Sequence, residues 1–146
     1  MEDTMTHTTT HQHHQMLQQH PNHRALFDDA ALLRCIEACL DCAQVCISCA
    51  DACSAESEPK PLVRCIRLNH DCADICTATA RVLGRHTEAN RDVVQSIVEA
   101  CSKACAACAA ECERHAQHMK HCETCATVCR ACETACKELT SSKVKA

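Results

Sequence analysis

The chain has 146 residues and a formal net charge of −4, with 18 cysteines, one glycine, three prolines and a single aromatic residue, Phe27. That length supports one domain around one core. The mild charge and the absence of a basic run argue against a nucleic-acid partner, and no segment approaches the apolar length that would cross a bilayer.

Cysteine-rich short chains are commonly secreted disulfide scaffolds, which are rich in loops. Here glycine and proline are scarce, and the first residues, Met1 to His7, have neither a cationic start nor an apolar stretch. A cytoplasmic protein with reduced thiols is therefore expected. Scarce turn formers favour long helices. With almost no aromatic fillers, cysteine is the residue abundant enough to occupy the interior.

Residues 1–23 form a polar segment holding His7, His11, His13, His14, His20 and His23. It reads as a tail, with a short helix open around Gln12 to Gln19, and its imidazoles offer weak capture of metal ions as the functional alternative. The main domain is expected over 24–140, with a C-terminal tail over 141–146.

The first helix is predicted from Asp28 to Ser54, ahead of Pro59 and Pro61. It carries Cys35, Cys39, Cys42, Cys46, Cys49 and Cys53, spaced alternately by four and three residues. That mean of about 3.5 matches a helical turn, so the sulfurs share one stripe; a strand would scatter them over both faces. A second row beside it, Ile36, Leu40, Ala43, Ile47 and Ala50, serves either core contact or a subunit interface.

The second helix is predicted from Pro61 to Leu83, with Gly84 ending its last turn. It bears Cys65, Cys72 and Cys76, and Asn69 fills the vacant slot as a spacer or core hydrogen-bonder. The third starts at Asn90, a suitable N-cap, and bears Cys101, Cys105, Cys108 and Cys112. The fourth bears Cys122, Cys125, Cys129, Cys132 and Cys136. No glycine or proline separates these last two, and the turn is placed at His118 to Lys120 on length alone. Together these features predict an all-α, up-down-up-down four-helix bundle with a cysteine-lined core.

Eighteen thiols in helical register exceed what packing requires, because alanine, valine or leucine would fill the same space. Side chains at i and i+4 lie roughly 5–6 Å apart at Cβ, so paired sulfurs can converge on an ion between them. Soft thiolates select Cu(I), zinc or iron–sulfur clusters. Cu(I) accepts two or three sulfurs and can be strung along a column, whereas zinc prefers closed tetrahedra. Many Cu(I) ions are the expected cargo, and a general thiolate buffer for zinc and other soft metals is the alternative. Nothing singles out one activated thiol with a base, so an enzyme is not expected.

The two ends of such a bundle differ. Leu32, Leu83, Val94, Val98 and Leu139 gather at one end as an aliphatic plug. Cys53, Cys65, Cys112 and Cys122 gather at the other, where His115 and Met119 continue the stripe as mouth ligands. His118 and His121 are nearby accessories, and His70 and His86 fall off the stripe and are expected to be exposed.

The four cysteine blocks, Cys35–Cys53, Cys65–Cys76, Cys101–Cys112 and Cys122–Cys136, closely resemble the bacterial four-helix-bundle copper storage proteins, over about Asp28 to Leu139. The lack of an export signal makes the chain look like the cytosolic branch. The resemblance implies a homotetramer, a core filled with Cu(I), and passage of copper near histidines at one end. It also implies a departure at Met119, where members with more histidines at the mouth would carry one.

Overall fold

The computed structural model describes residues 12–22 and 26–142. His7, His11 and His23, and most of the proposed C-terminal tail, lie outside the described residues. A short helix, α1, covers 12–18. Four long helices follow: α2 (Asp29–Ala55), α3 (Val63–Leu83), α4 (Arg91–His115) and α5 (Lys120–Ser141), with a 3₁₀ turn at Lys60–Leu62.

Local chemistry sets the helix ends. The Asp28 carboxylate accepts a 3.0 Å hydrogen bond from the Ala31 N–H, and Asn90 Oδ1 accepts one of 3.0 Å from Val93 N–H. Both are N-caps that satisfy an otherwise orphaned donor. Pro61 sits in the 3₁₀ turn, so α3 begins two residues later than predicted. Gly84 does cap α3, but with φ −80° its backbone is right-handed; its N–H donates to Ala80 O. The left-handed residue of that loop is Glu88, at φ 54°.

The break between α4 and α5 also falls earlier than predicted, over 116–119. Met119 N–H closes the last turn onto His115 O at 3.0 Å. Met119 itself is extended, at φ −135° and ψ 110°. One extended residue is enough to reverse the chain, which explains why no glycine or proline marks the place.

Each long helix packs against its chain neighbours, and α2 closes the square against α5. The sulfur pairs fix the directions. Cys35, Cys39, Cys42 and Cys46 on α2 meet Cys136, Cys132, Cys129 and Cys125 on α5, in falling order. On α3 and α4, Cys65, Cys72 and Cys76 meet Cys112, Cys105 and Cys101, again in falling order. Across the diagonal the order rises together, Cys39 with Cys101 and Cys46 with Cys108. Antiparallel neighbours and a parallel diagonal define the up-down-up-down bundle.

The core contains the cysteines and small or aliphatic residues such as Ala43, Ala73, Ala109 and Ala126. Leu32, Leu83, Val94, Val98 and Leu139 are all buried and plug one end, with Phe27 beside them. On α2, Ala43 and Ala50 are buried while Leu40 and Ile47 remain exposed. The α1 segment lies against the first part of this row: Met16, Leu17, Ile36 and Leu40 line one shared cavity of about 360 Å³. One expectation needs correction: α4 is long and apolar enough, by length and composition, to cross a membrane. Its buried face in the bundle includes Cys101, Cys105, Cys108, Cys112 and Ala109, so those apolar side chains are used within the fold.

Candidate metal centre

All 18 cysteines are buried and unpaired. They form a column along the bundle axis, interrupted by Asn69 between the Cys65–Cys112 pair and Cys108 and Cys125. Cys46 Sγ lies 3.6 Å from Cys129, 3.8 Å from Cys42 and Cys125, and 4.0 Å from Cys108. Cys76 Sγ lies 3.7 Å from both Cys101 and Cys105. A disulfide needs about 2.05 Å between sulfurs. Thiolates that share an ion at about 2.3 Å each stand at separations like those observed.

Four-sulfur sets recur along the column, with all ligand atoms of a set within 4.8 Å of one another. They include Cys39, Cys101, Cys132 and Cys136, then Cys42, Cys46, Cys72 and Cys129, then Cys46, Cys108, Cys125 and Cys129. Cys46 and Cys129 belong to two of these sets. Shared sulfurs suit bridging thiolate clusters better than separate closed tetrahedra.

Asn69 is fully buried in its cysteine slot. Its amide donates to Cys65 O at 2.9 Å, and its Oδ1 accepts from the Cys125 thiol at 3.0 Å and the Cys108 thiol at 3.3 Å. It is the hydrogen-bonding core residue that the slot suggested.

The end opposite the plug holds Cys49, Cys53, Cys65, Cys112 and Cys122, all buried. His115 is half-buried, with Nε2 3.4 Å from Glu111 Oε1. It also helps to hold the Cys65 thiol low, after the larger effect of hydrogen bonding to Cys112. Met119 is half-buried against the core. The imidazole that meets the sulfurs is His121, expected from the sequence only as an accessory. Its Nδ1 lies 3.5 Å from Cys49, 3.6 Å from Cys122 and 4.0 Å from Cys53, completing a three-sulfur, one-nitrogen set. Its position immediately before Cys122, in the first turn of α5, is the signal in the sequence: there the ring can fold over the column's end. His118 is exposed.

Glu111 is a second functional-looking residue that sequence reasoning passed over. It is buried, and its carboxylate meets Arg114 at 3.0 Å and Arg64 at 3.8 Å as well as His115. A buried carboxylate requires such partners.

The protonation of the thiols follows from burial and from one another. At Cys53 and Cys122 burial is the largest influence, pushing Cys53 up and Cys122 up to about 11. Deeper in, hydrogen bonding to Cys101 and Cys132 pushes Cys39 up, whereas hydrogen bonding to Cys105 and Cys129 pulls Cys42 down.

His70 is exposed, as expected. His86 is not: it is half-buried, and its ring meets that of His20 edge-on with centroids 5.5 Å apart. His13, His20 and His86 line the cavity under α1, near the plugged end. The His-rich segment therefore does not reach the mouth with its described residues.

Among curated proteins, none matches the sequence. Solved structures do. A Streptomyces lividans copper storage protein, Ccsp, loaded with 10 copper equivalents, is 48% identical, with a TM-score of 0.87 over 89% of this chain and 98% of its own. A cytosolic copper storage protein from Streptomyces lividans with five coppers is 53% identical, with a TM-score of 0.76 over 77% of this chain and 93% of its own. The Cu(I)-bound copper storage protein BsCsp3 is 35% identical, with a TM-score of 0.64 over 75% and 95%. The copper storage protein family itself matches residues 28–141, the whole stretch that carries the sulfur column, and the chain belongs to that family.

Proposed function

We propose that this protein stores and sequesters many Cu(I) ions in the cytosol, on the cysteine thiolates that line its bundle. The observation that carries this reading is the column of buried, unpaired thiols, most of them at sulfur separations of 3.6–4.0 Å. Each ion replaces a thiol proton, S–H and Cu⁺ becoming S–Cu and H⁺. Burial disfavours bare thiolates, so the column stays largely protonated when empty and near neutral when loaded. All 18 cysteines act as ligands. His115, Met119 and His121 serve the mouth, where copper passes in and out.

The relatives named above hold copper, and one is described as cytosolic; this supports the same cargo and compartment here. The exposed Leu40 and Ile47 on α2 support packing of bundles into a homotetramer. Storage, with no chemical turnover, is the activity this arrangement serves.

Anaerobic titration with Cu(I) and separately with zinc, each against a chelator of known affinity, tests the reading. About one tightly held Cu(I) ion per thiol, with few zinc ions, is the expected result for a soft-thiolate column. Equal retention of zinc would replace copper storage by a general thiolate buffer. Retention of neither would end both.

A further inference from the structure

Glu56 is the C-cap residue of α2, and its backbone N–H donates to Cys53 O. Its side chain reaches across the mouth to the first turn of α5, where Oε1 lies 2.9 Å from His121 Nε2. The pair thus links the end of one helix to the start of another beside Cys53 and Cys122.

An ionised carboxylate can only accept a hydrogen bond, so Nε2 must carry the proton. In the neutral ring the lone pair then resides on Nδ1, the atom that faces Cys49, Cys122 and Cys53. Those separations fit an ion bound at about 2.0–2.1 Å to nitrogen and 2.3 Å to sulfur. Without the carboxylate the ring could flip or change tautomer and turn an N–H toward the sulfurs, where it could not ligate.

We propose that Glu56 is a positioning residue for copper exchange at the mouth: its carboxylate locks His121 in the Nε2–H tautomer and aims Nδ1 at the outermost thiols. The proposal rests on the storage reading above. It assigns Glu56 no contact with the ion. Histidine ligands whose second nitrogen donates to a carboxylate are oriented and made more basic in this way, and loss of such a partner typically costs about 10–100-fold in metal affinity or activity.

Three measurements test it. In the full-length apo protein, ¹⁵N NMR of the His121 ring should show a clean Nε2–H tautomer, and Glu56→Ala should convert it to a mixture. Transfer of Cu(I) from its bathocuproine disulfonate complex should slow about tenfold in Glu56→Ala, with the final number of bound ions unchanged within one. In a His121→Ala background, Glu56→Ala should add nothing, since two residues acting as a unit are not additive. An unchanged ring spectrum, an unchanged transfer rate, or an equal slowing in the His121→Ala background would each overturn the proposal. Failure of the storage reading would look different: the wild-type chain itself would not retain Cu(I), whatever the His121 tautomer.

Discussion

Cys46 and Cys35 are both fully buried thiols on the same helix stripe, yet they should not contribute equally to capacity. Cys46 has four sulfurs within 4.0 Å and sits in two four-sulfur sets. Cys35 is the last sulfur of its helix toward the plug, 3.8 Å from Cys136. If each thiolate bridges the ions of its neighbours, Cys46→Ala removes a shared corner from two clusters and should cost about two Cu(I) ions, while Cys35→Ala should cost about one or none. Folding provides the control. Each substitution deletes a single buried sulfur, so each should destabilise the apo protein by a similar amount, about 1–2 kcal/mol. The assay is anaerobic Cu(I) titration of both variants, with ion counts by native mass spectrometry and apo stability by urea unfolding under reductant. Equal losses of copper at equal apo stability would mean that the sulfurs bind ions independently, and the shared-cluster reasoning would be wrong.

Two further outcomes follow from other parts of the bundle. Leu139→Ala empties a fully buried position in the plug and should cost about 2–5 kcal/mol in apo stability. Its copper count should match wild type, because the sulfur stripe of α5 has already ended at Cys136. The second outcome concerns pH. Burial raises the Cys122 thiol from 9.0 to about 11 and raises Cys53 as well. A folded-state value above the unfolded one means these thiols contribute stability that is fully present below pH 9 and is lost as pH rises toward 11. The urea midpoint of the apo protein should therefore fall across that window, and Cys122→Ala should flatten the fall. The copper-loaded protein, whose thiol protons are already displaced, should show little of it.

The long helices were legible because a stripe repeating every three or four residues leaves one conformation that keeps all its sulfurs together. Asp28 and Asn90 were legible as caps for the same local reason: a short polar side chain stands just before each periodic run. The turn between α4 and α5 was harder. It depends on one extended residue, Met119, and hydrogen bonds back to His115, which no residue type announces. The mouth was half legible. Periodicity pointed to His115 and Met119 because they continue the stripe. His121 lies one position off that stripe and reaches the sulfurs because the helix starts there, so its ring is free of a preceding turn. Its partner Glu56 comes from a different helix, and such a pairing belongs to tertiary structure alone.

The composition also explains why the sulfurs stand as close as they do. An interior with ordinary aromatic and leucine fillers would hold the helices apart by the size of those side chains. Here the residues flanking the column are alanines, including Ala43, Ala73, Ala109, Ala126 and Ala135, all buried. Small flanks let the four backbones approach until sulfur meets sulfur at 3.6–4.0 Å. The bulky aliphatic residues are kept to one end, where Val98 and Leu139 are fully buried and close the column to solvent. The opposite end has polar groups in their place: His115 with Glu111, and His121 with Glu56. Under the storage reading proposed above, the aliphatic end gives a copper ion no ligand and the polar end offers imidazoles beside the outermost thiols, so a bundle of similar helices would have a single working direction.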